Sequence, residues 1–476
     1  MKNRWLSVEF VMWIAIAALS AASDGCASRV PDPRDPALAE LLVDIDPQRI
    51  RTTVETLASF KTRHTLSDPA NETAGIGAAR RWIESQFKNY AAAGDGRLQV
   101  EMQEVRINQP SERVPAPVTL VNVIATLPSV SGPAKDRVYI VSGHYDSRNL
   151  DPMDAVNAAP GANDDASGVA AVMEIARVLS RSKFDATIVF VCFAGEEQGL
   201  LGSAAFAEKA KAEGWNIVGV LNNDIIGNTR GGNRVSDDRR VRVFSEGVPS
   251  TESAMQLQAR QSNGGENDGA SRQLARFIKE IGELYVPGFN VSLVYRRDRF
   301  GRGGDHIPFL RQGFPAVRLT EPNEDFSRQH QNVTSRFARP YGDVPEFVDY
   351  EYIASVARVN AAVLANLAAA PASPQGVTMS GEPAYDTAIR WQRDPNLELA
   401  GYAILVRETS SPTWQRRIDV GKVNVFTLHG YNKDDWMFGV EAYDIMGHRS
   451  LPSIPIARRA PAASRPAAAG RPGTQP

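Results

Sequence analysis

Cysteine is nearly absent from this chain: Cys26 and Cys192 are the only two in 476 residues. Two thiols cannot build a disulfide framework, and a cysteine-rich zinc module is excluded with it. Any metal site must therefore be made of histidine and carboxylate. Histidine is scarce as well, six in all, so each can be weighed singly. There is no excess of positive charge either, since 53 Lys and Arg stand against 55 Asp and Glu, a formal charge of -2. The basic footprint of a nucleic-acid binder is missing, and no nucleic-acid partner is expected. What remains is a composition of 43% hydrophobic and 23% charged residues. That is enough to bury a sizeable core and excludes global disorder. The length exceeds one ordinary domain.

Only the N-terminus carries a long apolar run. Lys2 and Arg4 precede residues 10–22, with Glu9 just ahead of the run. The length suits a signal-peptide core and falls short of the roughly 20 apolar residues that a membrane span needs. Small residues follow at Ala21, Ala22, Ser23 and Gly25, so residues 1–26 read as a signal peptide or lipoprotein signal. Export to the periplasm or the exterior is expected. Cys26 is a candidate lipid acceptor, although Ser23-Asp24-Gly25 departs from a lipobox. Farther on, residues 227–269 are polar and rich in Gly and Asn, which reads as a long surface excursion. Residues 368–376 are Ala- and Pro-rich, a linker by composition. The stretch 460–476 is low in complexity and is expected to be disordered.

Between residues 137 and 370 two kinds of pattern alternate. Continuous apolar runs at 138–142 and 186–192 predict strands covered on both faces. Helical stripes at 169–180, 204–213, 272–284 and 352–368 alternate with strand-like runs at 217–221, 291–295 and 316–319. Helices near 47–60 and 78–91 and strands near 98–107 and 121–127 precede them. The alternation predicts an α/β domain with a mostly parallel mixed sheet flanked by helices. Residues 376–458 differ: short runs at 388–391, 401–407, 414–420, 423–428 and 437–443 are separated by turns. Alternation is clear at Tyr402, Ile404 and Val406 and at Phe438, Val440 and Ala442, which predicts a small all-β sandwich. The placement of Trp391, Tyr402 and Tyr443 resembles a fibronectin type III domain over this segment.

The polar residues at the ends of the α/β strands are unusual. Gly143-His144-Tyr145-Asp146 follows the first strand, and Gly161 to Gly168, containing Asn163-Asp164-Asp165, precedes a helix. Gly195-Glu196-Glu197 follows the second strand, Asn222-Asn223-Asp224 the third, and His330 the last. Taken singly, each has an ordinary structural explanation: Asp164 or Asp165 as a helix cap, the Glu pair as a solvated loop, His144 as a satisfied core residue. Taken together, they put several carboxylates and imidazoles on one sheet edge. Clustered carboxylates repel unless a cation neutralises them, and this mixture of ligands suits zinc.

The ordered set of motifs resembles that of the co-catalytic zinc aminopeptidases, which include the bacterial leucyl-type enzymes and have glutamate carboxypeptidase and glutaminyl cyclase as relatives. The resemblance covers about residues 40–370 and implies a zinc peptidase domain over 37–370. It implies two Zn2+ per chain. His144 and Asp224 would hold one, Glu197 and His330 the other, and Asp164 would bridge both. Glu196 would be the general base and Asp146 a partner orienting His144. The family's bond after the bridging Asp is cis, which falls here at Asp164–Asp165. His306, in Gly-Gly-Asp-His, would line the region without binding zinc. The family's oxyanion Tyr is missing: its usual places hold Gln329 and Gly303, which leaves zinc itself, Arg302 or Tyr295 to stabilise the oxyanion. The function implied is an aminopeptidase acting on peptides. A carboxypeptidase, a glutaminyl cyclase-like enzyme and a non-catalytic binding protein are the alternatives. The sandwich, with no His and carboxylate cluster, is expected to be dispensable for chemistry.

Overall fold

The computed structural model describes residues 34–130, 136–336, 339–395 and 399–458. Residues 1–26, expected to be an export signal and including Cys26, and the tail 460–476 lie outside the described residues. The chain opens on two short helices, α1 (Pro36–Val43) and α2 (Pro47–Ser59). Each has an Asp accepting an amide at its N-cap, Asp35 and Asp46, followed by Pro at the first turn, a sequence-local start signal. Then come α3 (Gly75–Ala93), β1 (Gln99–Ile107), β2 (Val118–Leu127), β3 (Arg137–His144), α4 (Ala166–Leu179), β4 (Thr187–Phe193), α5 (Leu201–Ala212) and β5 (Asn216–Asn223). The second half adds β6 (Arg240–Ser245), α6 (Ala254–Ser262), α7 (Ala270–Tyr285), β7 (Asn290–Val294), α8 (His306–Arg311), β8 (Ala316–Thr320), a two-stranded ribbon β9 (Thr334–Arg336) and β10 (Arg339–Tyr341), and α9 (Tyr350–Ala369).

Eight strands form one mixed sheet in the order β1-β2-β4-β3-β5-β8-β6-β7. The central pairings β3–β4, β3–β5 and β5–β8 are parallel, as is β6–β7, while β1–β2, β2–β4 and β6–β8 run antiparallel. Helices α2, α3, α4, α7 and α9 pack on one face around Val141, Val172, Phe190 and Leu364. Helices α5 and α8 cover the other face around Phe193, Phe206 and Phe309. α4 is buried over nearly its whole length, which explains why its sequence is apolar beyond one stripe. α9 is long and apolar enough to cross a membrane, yet most of it is buried inside the fold. It is a core helix.

One expectation is corrected. The polar stretch 227–269 is not a simple excursion, because it contains β6, a strand inside the sheet between β8 and β7, and helix α6. Val241 and Val243 alternate with Arg240 and Arg242, and the outward Arg residues masked the strand among Gly-rich flanks. Arg242 in fact pairs with Glu324 at 3.0 Å.

The C-terminal strands are β11 (Thr378–Ser380), β12 (Thr387–Arg390), β13 (Leu399–Glu408), β14 (Arg416–Gly421), β15 (Val425–Leu428), β16 (Trp436–Asp444) and β17 (Ile456–Arg458). They make a four-stranded sheet, β15-β12-β11-β17, and a three-stranded one, β14-β13-β16. Tyr402, Ile404, Val406, Phe438 and Val440 meet Trp391 and Ile389 in the core between them. The opposite face of β13 is buried as well. There Arg407, 1% exposed, pairs with both oxygens of Asp268 at 2.9 and 2.8 Å. Arg276 of α7 binds the same carboxylate at 3.1 Å and Pro412 O at 2.8 Å. Farther along, Arg449 pairs with Glu280 at 2.7 Å, and His448 lies between Asp444 at 2.8 Å and Asp35 at 3.2 Å. The linker itself is pinned by Arg137, whose Nη2 donates to Ala370 O at 2.6 Å. The sandwich is joined to the α/β layers by buried charge.

Candidate metal centre

The site forms where the central strands stop. β3 ends at His144, Asp224 directly follows β5, and Glu196 and Glu197 lie just past β4. Loops beyond the carboxyl ends of parallel strands are the ligand-binding edge of an open α/β sheet. Asp164 and Asp165 sit ahead of α4 and divide the labour. Asp165 is the cap: its Oδ1 accepts Gly168 N at 3.0 Å and Ile225 N at 3.2 Å, and its Oδ2 accepts His144 N at 3.0 Å. It thus ties together β3, α4 and the exit of β5. Gly168 makes that closeness feasible, since a Cβ there would lie 2.4 Å from Asn223 O. The Asp164–Asp165 bond is cis. Asp164 N donates to Asp343 Oδ2 at 2.7 Å, and its carboxylate faces the histidines.

That carboxylate spans two groups. Asp164 Oδ1 lies 3.1 Å from His144 Nε2, and Asp164 Oδ2 lies 2.9 Å from His330 Nε2. On one side His144, Glu196 and Asp224 bring ligand atoms within 4.8 Å of one another, and on the other Asp164, Glu197 and His330 do the same. The structure therefore brings together all five residues that the motifs nominate as ligands, with Glu196 beside them. Glu196 falls within ligand distance of the first triplet, so geometry alone does not separate base from ligand there.

Asp146 holds the arrangement. Its Oδ1 accepts Glu196 N at 3.2 Å, and its Oδ2 accepts Glu197 N at 3.1 Å and Thr65 Oγ1 at 3.0 Å. His144 Nδ1 lies 3.6 Å from Asp146 Oδ1 and 3.2 Å from the Asp146 carbonyl. Imidazole orientation and the Glu196-Glu197 loop thus depend on one carboxylate.

The donor set fits a metal. Glu197 Oε1 is buried and meets His330 Nε2 at 2.9 Å without a well-aligned hydrogen bond. Burial, with Asp224 and Glu197 nearby, pushes Glu196 well above the usual carboxylate range. Burial raises Asp224 as well, against the pull of Arg318. Burial opposes charge on His144, yet Glu196, Asp146 and Asp164 outweigh it and raise the imidazole. Protons are drawn into the place where a divalent cation would satisfy the same oxygens.

Other expected positions separate clearly. His306 is fully buried, 2.9 Å from Arg297 O and 3.4 Å from Asp298, and burial lowers it to about 4. It belongs to neither triplet. Tyr295 hydrogen-bonds Pro412 O and stacks under Arg272, facing the sandwich rather than the cleft. Gln329 donates to Asp164 Oδ2 at 2.9 Å, and Arg302 and Gly303 line the cleft. His64, His429 and His448 lie outside both triplets.

Sequence reasoning missed the supports. Arg318, buried in β8, grips Asp224 Oδ1 at 2.6 Å. An Arg inside the apolar strand Ala-Val-Arg-Leu-Thr was a readable signal of a buried partner. Arg148 donates from Nε to Glu197 Oε2 at 2.8 Å, and its Nη2 lies 2.6 Å from His330 Nδ1. Arg63, fully buried, donates to the carbonyls of Tyr145 at 2.7 Å, Gly161 at 2.9 Å and Leu57 at 3.1 Å, and also to that of Pro160. Nothing in the local sequence marks Arg63 or Arg148.

The model of Peptidase family M28 matches residues 122–364, just over half of the chain and every residue of both triplets. The chain belongs to Peptidase family M28. A probable zinc metalloprotease of Leptosphaeria maculans is 42% identical to this M28 chain over 417 residues, covering 87% of it and 96% of the relative. Another, from Pyricularia oryzae, is 44% identical over 429 residues, covering 89% and 85%. Among solved structures, the LapA aminopeptidase of Legionella pneumophila aligns over 70% of this chain and 75% of its own at 19% identity, with a TM-score of 0.49. This M28 chain is a zinc metallopeptidase, a hydrolase of peptides.

Proposed function

We propose that the protein is an exported two-zinc aminopeptidase that removes N-terminal residues from short peptides. The observation that carries the metal count is Asp164, which offers one carboxylate oxygen to each of two separate triplets. His144 and Asp224 would hold one zinc, Glu197 and His330 the other, and Asp164 both. Zinc, when bound in such pairs, polarises a carbonyl and acidifies water. Glu196 accepts the proton from the attacking water at a carboxylate oxygen and passes it to the leaving amine nitrogen. Asp146 keeps His144 and the Glu196 backbone in register for that transfer. Export follows from the composition of residues 1–26. Residues 376–458 are proposed as a fibronectin type III-like module, supported by sheets of four and three strands over a single core.

Elemental analysis of the purified full chain should find two zinc ions per molecule. One or none at full occupancy would point instead to a cyclase-like centre. Turnover of aminoacyl chromogenic substrates should be lost with chelator and recovered with zinc. Hydrolysis of N-blocked peptides in place of free ones would replace the aminopeptidase reading with a carboxypeptidase.

A further inference from the structure

The cleft over the two triplets, about 280 Å³, has an uneven charge lining. Its carboxylates are Asp164, Glu196, Glu197 and Asp224, and all four belong to the triplets. No lining carboxylate stands apart from the triplets. Its cations are four arginines: Arg113, Arg148, Arg299 and Arg302. They are not equivalent. Arg148 is engaged with Glu197 and His330. Arg299 is nearly buried and shared between Asp298 at 3.3 Å and Glu324 at 3.1 Å.

Arg113 and Arg302 are the under-compensated pair. Arg113 donates to a backbone carbonyl, Glu197 O at 2.6 Å, and that bond leaves its charge uncancelled. Arg302 reaches Glu324 at 2.7 Å, but Arg242 and Arg299 draw on the same carboxylate. Three guanidiniums on one carboxylate leave positive charge over, and Arg302 is one-third exposed. Arg302 also borders a wider open space of about 580 Å³ that continues past His330 to Phe326. A chain lying across the metals and leaving by that route must pass Arg302.

We propose that this cleft selects peptides carrying a carboxylate on a residue next to the scissile bond, read by Arg302 and Arg113. The inference rests on the peptidase reading above and names the substrate class of that same site. The carboxylate is either an acidic side chain or the free C-terminus of a very short peptide. Guanidinium pairs carboxylate through two parallel hydrogen bonds, and replacing the acid by its amide leaves a charged donor poorly matched.

Matched pairs of substrates test this with the zinc-loaded full chain. Leu-Glu-amide against Leu-Gln-amide places the charge on a side chain alone, and Leu-Ala against Leu-Ala-amide places it on the terminus alone. The acid should exceed the amide by ~10-fold or more in kcat/KM in at least one pair, the scale of one charged hydrogen bond at a partly open site. Whichever pair shows it identifies the source of the carboxylate. Arg113→Gln combined with Arg302→Gln should bring that ratio close to unity, and Glu324→Gln, which removes a competing anion, should raise it. Zinc-loaded Glu196→Gln protein should show the same preference as binding, without turnover. Chelator-sensitive turnover with acid and amide equal in both pairs overturns the inference and leaves the peptidase reading standing. Absence of chelator-sensitive turnover on all four substrates overturns the aminopeptidase reading, and equal binding of acid and amide by the Glu196→Gln protein then overturns the inference too. An unchanged ratio in the double variant overturns the assignment to these two arginines.

Discussion

At the sheet edge, Asp164, Glu196, Glu197 and Asp224 crowd around two imidazoles with Arg148 and Arg318 reaching in from the side. At the seam with the C-terminal sheets, Asp268 is enclosed by Arg276 and Arg407, both within 3.1 Å. Both clusters are buried, but only the first has more acid than its neighbours can neutralise. A buried carboxylate excess is stable only with a cation to absorb it, so the sheet edge is a binding device. The seam has the opposite balance, two guanidiniums on one carboxylate, and its charges fix how two layers sit together.

The sharpest test of that contrast is a substitution that removes chemistry without removing charge balance elsewhere. Glu196→Gln should lower turnover by roughly 100- to 10,000-fold, the range for general acid–base catalysis. Zinc content by elemental analysis and the melting temperature should stay at the wild-type level. A variant that loses zinc would instead make Glu196 a ligand.

At the seam the loss should appear in stability. Arg407→Ala should cost about 3 kcal/mol in urea denaturation, the low end for a broken buried pair because Arg276 still holds Asp268. Turnover per folded molecule should be unaffected. A protein ending near Ala370 strips the partner Arg407 from Asp268 and loses Leu451, which packs into the main core, so it should fail to fold stably rather than survive as a free catalytic domain. Soluble, fully active truncated protein would show that the seam is ornamental.

Asp146 lies within the sheet-edge cluster but outside both triplets. Asp146→Asn should weaken zinc ~10- to 100-fold in competition with a chelator, the usual cost of losing a group that orients a metal-binding imidazole. The smallest effect belongs to His448. Burial opposes its charge, but Asp444 and Asp35 raise its pKa above the ordinary value. Its contribution to stability is complete below the unfolded pKa, near 6.5, and is lost as pH rises through the raised folded value. His448→Gln should flatten that decline, by about 1 kcal/mol or less, in denaturation curves taken at pH 6 and pH 9.

Much of this was legible in sequence because the signals were local. β3 and β4 announce themselves as unbroken β-branched runs, and α4 and α9 by helical stripes. His144, Glu196, Glu197 and Asp224 stand at or just past strand ends, Asp164 ahead of α4 and His330 in the loop after β8, and the fold brings them to one edge. β6 was hidden because its exposed positions are arginines, and α8 because six residues carry too little periodicity. The supporting residues were hidden for a different reason. Arg63, Arg148 and Asp343 act over sequence separations of roughly eighty to one hundred and eighty residues. Before the chain is folded, each is an ordinary polar residue.

Arg63 has a consequence of its own. The segment around it supplies no ligand, yet its guanidinium closes over four carbonyls, and Thr65 beside it bonds Asp146. Three of those carbonyls, of Tyr145, Pro160 and Gly161, belong to the loop joining His144 to Asp164. The loop between two of the triplet residues is therefore held from the N-terminal side of the fold. Backbone amides from Tyr145 to Gly161 should exchange with solvent in step with those of residues 60–67. A proteolytic nick in that distant segment would silence the enzyme while leaving every ligand side chain in place.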